Sequence, residues 1–510
     1  MDYDRRMDVE QFKEDVRSGR IDADRLVELI VKSQRDLQQA KEELQQAKKR
    51  IEELEKKLGG SPTAKVAESF SVKAEEQRQE ACGKKKRKRN KSRRRGRIKT
   101  SDKVAQAART EKVFPAGVPE EDCYLSHTRV VWRLENGQAV LVAYEVYRDR
   151  KNHYGRIPGV LGRSEFALEI ILAIAYQVFV VGLSFDKVCL LMNFFQNLRL
   201  QKSQVDALLN QLSRHWEREF DLLCTLLAHS LVVHADETSW SIHSVWAFLS
   251  EKVRLLFYGV HKDADTLERI LDPATFGGIV ISDDASVYGN FTHAQKCWAH
   301  LLRKAIKLTL VDPTNDEYRR FADRLLEIYR AACRVPCDKR FSPAGRQQKV
   351  LDLEDEILDL CLPVWSAELP PSEGPANDYR LLVNELMRLM LSQQLFTFVT
   401  AAAVKTPSGT EMPVAGTNNE AERTLRSDAQ ARDTGRTSKT VRGTRRRTVI
   451  VSVLESLRVH LPTFTLSTVI QEVRQWCDTG QSCFAKLIKK LKLSPPTQSV
   501  LDILLPTPSG

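Results

Sequence analysis

The sequence predicts an α/β protein whose central mixed sheet follows an N-terminal coiled coil and is interrupted by a helical insertion. Three observations lead to this prediction. Apolar residues recur every seven positions near the N-terminus, two short apolar runs between 231 and 284 end in acidic residues, and a long helical pattern precedes a third acidic segment. With 510 residues, 42% of them apolar, the chain can bury a sizeable core. That length favours about three to four domains.

Residues 24–59 are predicted to form a coiled coil. Apolar side chains occupy one position of each heptad, and small or apolar side chains occupy the position three further on: Ile30, Leu37, Leu44, Ile51 and Leu58, with Ser33, Ala40, Ala47 and Leu54. Such a pattern needs a partner helix, most simply the same helix of a second copy, so we expect a homo-oligomer through this segment. The alternative is a single solvated helix that packs on its own domain.

The net charge of +12 has one dominant source. The segment from Lys84 to Lys99 holds 12 basic residues and no acid, while the rest of the chain is balanced. Concentrated positive charge favours a polyanion, most commonly nucleic acid. We therefore interpret 60–100 as a disordered basic linker with these DNA-contacting residues: Lys84, Lys85, Lys86, Arg87, Lys88, Arg89, Arg93, Arg94 and Arg95. A solvated linker or a localisation-like run is the alternative.

The cysteine spacing and the hydropathy of the sequence indicate in which compartment the protein is expected. The ten cysteines are scattered, and the Cys333–Cys337 pair has no partner pair at zinc-finger spacing. The N-terminus lacks the apolar core of a signal peptide, and the most apolar window, 170–183, is too short to span a bilayer. We expect reduced thiols, a cytoplasmic location and no membrane partner.

Two regions lie between the basic linker and the central domain. In 101–163, two strands at 129–134 and 138–147 are predicted to pair through a hairpin turn at Asn136-Gly137. In 164–230 the pattern is helical, and the third helix is predicted to begin with Ser203 as its cap. These helices fit a DNA-binding helix-turn-helix or an ordinary three-helix packing unit, and both alternatives remain open.

The central domain is predicted to span 231–460. Three strands, a helix and a further strand follow one another, at 231–236, 245–250, 255–261, 263–271 and 278–282. This order matches the opening of a ribonuclease-H-like fold, a mixed sheet with helices on both faces. The helical stretch from about 297 to 400 is interpreted as an insertion, and 461–510 as a C-terminal tail that is helical and ends in a disordered Pro/Ser segment.

Three carboxylates are candidate ligands for a divalent metal. Asp236 and Asp283 end apolar strands, where a buried charge is costly unless a cation meets it. Side chains alternate along a strand, so Asp283 is expected to face away from Asp284. Glu422 lies in the first turns of a predicted helix further along the chain. Two divalent ions held by carboxylate oxygens could activate a hydroxyl for attack on a phosphodiester and neutralise the leaving oxygen.

The assignment of Glu422 depends on its neighbours. Thr417-Asn-Asn-Glu420 matches a capping box, in which Glu420 would reach back to the helix start. Glu422 lies about 200° from Glu420 around the helix and is therefore free to face an ion. The alternative is an i,i+4 surface pair between Glu422 and Arg426.

Four motifs in order resemble the DDE transposases of the insertion-sequence 66 family over roughly residues 160–460. They are His-Ala-Asp236-Glu-Thr, Ser-Asp283-x4-Tyr288, Cys297-Trp-Ala-His300-x-x-Arg303 and Thr-Asn418-Asn-x-Ala-Glu422-Arg-x-Leu-Arg426. The resemblance implies a catalytic, metal-binding triad of Asp236, Asp283 and Glu422. It also implies Mg²⁺, with Mn²⁺ as an alternative, and hydrolysis of element ends followed by strand transfer into target DNA.

The resemblance also bears on partners. It implies double-stranded DNA as substrate, accessory transposition proteins and association with the nucleoid. Candidate DNA contacts near the scissile phosphate are Trp298, Arg303, Arg423 and Arg426, and the Arg-rich helix after Glu422, up to Arg445-Arg446-Arg447, could lie along phosphates. The family's Cys-rich segment is reduced here to Cys82 and Cys123. Cys297 and His300 are possible zinc ligands. Because a second pair of ligands is lacking, we expect these two residues instead to pack in the core or to support the active site. A metal-dependent nuclease and a transposase-derived DNA-binding protein are the alternative functions.

Overall fold

The computed structural model describes residues 99–365, 373–407, 409–496 and 498–505. The predicted coiled coil and nearly all of the basic linker, including Lys84 to Arg95, lie outside these ranges. Within them the chain is a mixed α/β protein with fifteen α-helices, a five-stranded sheet, a three-stranded sheet and a two-stranded ribbon. No helix of the described part combines the length and apolarity needed to cross a membrane.

A three-stranded sheet follows the short helix α1 (Thr100–Val104). Its strands have the order β1-β3-β2, with β1 at Arg109–Val113, β2 at Tyr124–Glu135 and β3 at Gln138–Arg148. The hairpin predicted between β2 and β3 is confirmed. Asn136 and Gly137 have φ values of 50° and 79°, the pair of positive angles that a type I′ turn requires.

Three helices connect this sheet to the central one: α2 (Leu168–Phe179), α3 (Phe185–Gln196) and α4 (Lys202–Ala228). The prediction that Ser203 caps this helix is wrong, because α4 already includes Ser203 and Gln201 is the capping residue. The Gln201 backbone N–H donates to the Gln204 side chain (2.9 Å). Fifteen of the 27 residues of α4 are buried. A recognition helix needs an exposed face, so this burial favours the three-helix packing unit.

The central sheet has the strand order β6-β5-β4-β7-β8. Strands β4 (Val232–Ser239), β5 (Ser244–Ser250) and β6 (Arg254–Val260) are antiparallel. Helix α5 (Ala264–Ile270) then leads to β7 (Ile279–Ser282), which runs parallel to β4. The predicted strands and helix are present, with ends shifted by up to three residues. The three-residue strand β8 (Ala294–Lys296), parallel to β7, was not predicted.

The predicted helical stretch between about 297 and 400 is present as five helices. They are α6 (Trp298–Val311), α7 (Asp316–Arg334), α8 (Pro343–Trp365), α9 (Gly374–Leu391) and α10 (Thr397–Thr400). Their apolar side chains form one core that also includes Val232, Ile279 and Ile281 of the sheet. These five helices therefore pack directly on the strands that carry the candidate acids.

After the ribbon of β9 (Val404–Lys405) and β10 (Glu411–Met412), two helices return to the sheet, α11 (Asn419–Asp433) and α12 (Val441–His460). Three hydroxyls of α12, spaced four residues apart, accept hydrogen bonds from alternate backbone N–H groups of edge strand β6. The pairs are Arg254–Ser456 (3.0 Å), Leu256–Ser452 (2.9 Å) and Tyr258–Thr448 (3.0 Å). We call these three hydroxyls the hydroxyl ladder.

The spacing of the hydroxyl ladder follows from helix and strand geometry. Four helical residues rise about 6.0 Å, and two strand residues span about 6.6 Å, so each step of the helix meets every second strand N–H. Ser452 and Ser456 also donate to the carbonyls of Leu256 (3.2 Å) and Arg254 (3.1 Å). The polar backbone of this edge is therefore satisfied by side chains of α12.

Ser452→Ala is expected to lower the free energy of unfolding by about 1–3 kcal/mol, because it leaves the buried Leu256 N–H without its partner. Ser452 is fully buried. The matched control is Ser427→Ala on the exposed side of α11, which should change stability by less than about 0.5 kcal/mol. Urea unfolding of both variants measures the difference, and equal midpoints would contradict this role of the ladder.

The opposite edge of the sheet is also covered. The backbone N–H of Lys296 in β8 donates to the Gln394 carbonyl (2.9 Å), and the Gln295 side chain accepts from the Phe398 N–H (3.0 Å). Both partners lie in or beside α10. Outward-facing backbone N–H groups of both edge strands are therefore bound, by side chains of α12 on β6 and by loop backbone on β8.

The predicted C-terminal tail is packed into the protein where the structure describes it. It contains α13 (Leu466–Thr479), α14 (Cys483–Lys490) and α15 (Val500–Leu504). Phe484 and Leu501 are fully buried in the main core. Most of the Pro/Ser end that was predicted to be disordered lies outside the described residues.

Candidate active site

Asp236 lies on β4 where this strand approaches the C-terminal end of β7. Its side chain is partly exposed, whereas Glu237 is buried and follows the alternation of a strand. Glu237 accepts a hydrogen bond from the Tyr288 hydroxyl and pairs with Lys262 at 2.8 Å. Lys262 therefore neutralises the second carboxylate of this motif, whereas no ion pair to Asp236 occurs within the described part of the chain.

Asp283 directly follows β7 and is half-buried. One of its carboxylate oxygens accepts a hydrogen bond from the Ala285 N–H (3.1 Å), which holds the turn after the strand. The neighbouring Asp284 pairs with Arg388 of α9. The two adjacent acids thus have different partners, and among the residues that the structure describes no cationic side chain forms an ion pair with Asp283.

Glu422 lies at the N-terminal end of α11. The predicted capping box is wrong: Asn418 precedes the helix, and Glu420 pairs with Arg254 of β6. The alternative pair with Arg426 is absent among the described contacts. Glu422 instead accepts a hydrogen bond from Arg303 (2.7 Å) and lies 3.6 Å from the Nδ1 of His300.

Backbone hydrogen bonds hold these motifs together. The fully buried Asn418 donates through its side-chain amide to the carbonyl of Ala235 (2.8 Å), the residue before Asp236. At the start of α6, the Cys297 N–H donates to the Ser282 carbonyl (2.9 Å) and the Trp298 N–H to the Gly416 carbonyl (3.0 Å). Each acid-bearing segment is thereby bonded to another one or to the start of α6.

The negative charges of two of the candidate acids reach the third. Burial and the negative charges of Glu237, Asp283 and Glu422 together raise the pKa of Asp236 to about 7, against a hydrogen bond from the Glu237 backbone. Carboxylates that repel one another at short range in a half-buried site are what a hard divalent cation stabilises. Asp236, Asp283 and Glu422 therefore fit a Mg²⁺ or Mn²⁺ ion by charge and by donor type.

Two lysines near the acids were not found from the sequence. Lys296 is buried, and its ammonium donates to the Ser282 hydroxyl (3.2 Å) and the Asp283 carbonyl (3.1 Å). Burial lowers the pKa of Lys296. The pKa of Lys262 is raised, chiefly by Glu237 and further by Asp283 and Asp236. The only sequence signal was a lysine directly before the Cys297 motif.

The candidate DNA contacts have different environments. Trp298 is fully buried, and its indole N–H donates to the Leu395 carbonyl (2.7 Å), so the predicted DNA contact of this residue is wrong. Arg423 and Arg426 are exposed on α11, and the side chain of Arg303 is 55% exposed beside Glu422. Arg303 therefore places positive charge directly beside Glu422, and Arg423 and Arg426 add positive charge to the exposed surface of α11.

The basic cluster Arg445 to Arg447 does not offer a face to phosphates. Arg447 pairs with the buried Asp428 (3.0 Å), Arg446 with Asp206, and Arg445 with Asp502 (2.7 Å). Arg445 and Arg447 are more than nine-tenths buried. For these three residues the prediction of phosphate contacts is wrong, because acids of the protein neutralise their charge.

A cavity of about 610 Å³ adjoins the acids on the side of the insertion. Asp283, Lys296 and His300 line one wall, and residues of α9 line the other. Charged groups of both signs, including the half-buried Asp283, thus line the cavity. Helix α9 therefore lies across the cavity from one of the candidate catalytic acids.

Comparison with protein-family models matches residues 164–446 to the family described as Transposase IS66 family. Comparison with curated proteins finds no match. The family match covers more than half of the chain, from the region before α2 to α12, and includes the central sheet, the insertion and all three candidate acids. The resemblance found in the four sequence motifs is thereby confirmed, and the chain belongs to the IS66 family of transposases.

Proposed function

We propose that the protein is a DNA transposase that cleaves transposon ends and transfers the freed strands into target DNA in a metal-dependent reaction. The observation that carries this proposal is that hydrogen bonds join the segments of the three acids: Asn418, at the start of the helix of Glu422, donates to the carbonyl of Ala235 beside Asp236 (2.8 Å), and Cys297 donates to the carbonyl of Ser282 beside Asp283 (2.9 Å). Three carboxylates from two strand ends and one helix form a site suited to phosphoryl transfer. Family membership supports DNA as the substrate.

Asp236, Asp283 and Glu422 would hold Mg²⁺, or Mn²⁺. Bound there, the metal would activate the attacking water or 3′-hydroxyl and neutralise the leaving oxygen. The protein itself orients these ligands, since Asn418 ties the start of α11 to the strand of Asp236. Arg303, Arg423 and Arg426 would contact phosphates near the scissile bond.

The architecture supports a ribonuclease-H-like catalytic domain at 231–460 with an insertion at about 297–400. Three antiparallel strands, a helix and a parallel strand follow one another in the order expected for that fold. We further propose that the coiled coil at 24–59 assembles a homo-oligomer, that the basic residues Lys84 to Arg95 bind DNA, and that accessory transposition proteins act with it at the nucleoid.

A strand-transfer assay tests the function. Purified full-length protein, Mg²⁺ and the DNA that flanks its gene should produce joined products, and the Asp283→Asn variant should not. The matched control is Asp284→Asn, which removes the neighbouring acid that pairs with Arg388 and should leave joining intact. Cleavage without joining would instead identify a nuclease, and binding without cleavage would identify a DNA-binding protein. Equal activity of both variants would exclude Asp283 from the site.

A further inference from the structure

Ligand atoms of Cys297, His300 and Glu422 all lie within 4.8 Å of one another. The first two residues come from the start of α6, and the third comes from the N-terminal end of α11. We propose that these three side chains form a second metal site, selective for a soft or borderline divalent ion such as Zn²⁺, which shares Glu422 with the carboxylate site.

The sulfur of Cys297 is held in place before any ion binds. Cys297 precedes the first turn of α6 and is 2% exposed. Its thiol accepts a hydrogen bond from the Asn418 N–H (3.1 Å), and its own N–H donates to the Ser282 carbonyl (2.9 Å). Little conformational freedom remains to be lost when the thiol becomes a metal ligand.

His300 supplies a nitrogen that has no hydrogen-bond partner. Its Nδ1 is inaccessible to solvent and makes no hydrogen bond, although it lies 3.6 Å from a carboxylate oxygen of Glu422. A buried polar atom without a partner is costly. Coordination by an ion between His300 and Glu422 would satisfy it.

The donor set determines which metal fits. Sulfur, imidazole nitrogen and one carboxylate oxygen are ligands for Zn²⁺, whereas Mg²⁺ prefers oxygen alone. Three protein ligands leave a fourth position for water. Binding deprotonates the Cys297 thiol and releases that proton to solvent. Arg303, whose side chain is largely exposed, leaves Glu422 when the ion enters.

Sharing Glu422 has a consequence for activity, and this consequence rests on the proposed function. Glu422 cannot bind a metal ion fully at both sites at the same time. A soft ion bound by Cys297 and His300 therefore removes Glu422 as a ligand of the catalytic metal. We expect Zn²⁺ to inhibit strand transfer in the presence of Mg²⁺. The Cys297→Ser variant should resist this inhibition.

The site can be tested without any activity by using Co²⁺ as the probe. Metal-free, reduced full-length protein titrated with Co²⁺ should develop the thiolate-to-cobalt charge-transfer absorption at one equivalent. Cys297→Ser should abolish this band, and His300→Gln should weaken Co²⁺ binding by about 100-fold. Because Cys297 is buried, His300→Gln also serves if Cys297→Ser does not fold.

Two variants serve as controls. Cys337→Ser removes an exposed thiol outside the site, and Asp236→Asn removes only the carboxylate site; both should retain the band. The proposal is overturned if the wild type shows no band, if the band survives both Cys297→Ser and His300→Gln, or if Asp236→Asn abolishes it. None of these results depends on whether the protein transposes DNA.

Discussion

The Asp236→Asn variant is expected to lose DNA cleavage and strand transfer by about 10³-fold or more, while its metal-free fold becomes more stable. A catalytic metal contributes several kcal/mol of transition-state stabilisation, and about 1.4 kcal/mol corresponds to a tenfold change in rate. The amide keeps the shape of Asp236 but removes the charge that the metal needs. Single-turnover cleavage of labelled DNA ends measures the loss.

The gain in stability follows from the pKa of Asp236. Its rise from 3.8 to about 7 corresponds to about 4 kcal/mol of unfavourable free energy for the charged form. Partial exposure of the side chain reduces the expected gain to about 1–3 kcal/mol. Urea unfolding with a chelator present measures the free energy of unfolding of both proteins.

The sign of the pH dependence can be checked in the same experiment. Between about pH 4 and about pH 7 the folded wild type binds a proton at Asp236 that the unfolded chain has lost, so this contribution to stability falls as pH rises. The difference in free energy of unfolding between Asp236→Asn and wild type should therefore grow over that window and stay constant above it.

The control, Asp265→Asn, removes an exposed acid of α5 and should alter neither activity nor stability. A variant of Asp236 with full activity would contradict the assignment.

The largest expected loss of stability belongs to Asp428→Ala, at about 3–5 kcal/mol. Asp428 is 2% exposed and pairs with Arg447 at 3.0 Å, and both of its oxygens accept from the Tyr258 hydroxyl (3.1 Å). The Arg447 guanidinium also lies 4.8 Å from the centre of the Tyr258 ring. Without Asp428, a buried positive charge and a buried hydroxyl lose their partner.

The control for this prediction lies on the same helix. Asp433 pairs with Arg432 at 3.3 Å and its side chain is 69% exposed, so Asp433→Ala should cost at most about 1 kcal/mol. Denaturant unfolding of both variants gives the comparison. A loss below about 1 kcal/mol in Asp428→Ala would mean that the cluster around Arg447 is not what holds α11 to α12.

Most strands of the central sheet and the hairpin of the three-stranded sheet could be predicted, because local patterns determine them. Strands β4 and β7 are short apolar runs that end in acids, and the hairpin turn is written in the Asn136-Gly137 pair. Strand β8 was missed because three residues carry too little periodicity. Its position depends on pairing with β7, a contact that is not local in sequence.

Side-chain partners could not be predicted in the same way. The sequence shows the charge of Arg447 but not that Asp428 lies beside it in the core. Likewise, a local rule assigned Glu420 to a helix cap, whereas the folded chain brings Arg254 to it from 166 positions away. The sequence also predicts a DNA contact at Trp298, because no local sequence pattern shows that this side chain is buried. Partners of this kind depend on tertiary packing.

The hydroxyl ladder on β6 and the loop contacts on β8 have a consequence for assembly. An open sheet edge is a template on which a strand of another molecule can add. Here the outward N–H groups of Arg254, Leu256 and Tyr258 are bound by side chains of α12, and that of Lys296 by Gln394. Neither edge of the central sheet is left to recruit a strand from a neighbouring copy. Any association between copies of the chain would therefore use other surfaces and would leave the geometry of the acids on β4 and β7 unchanged.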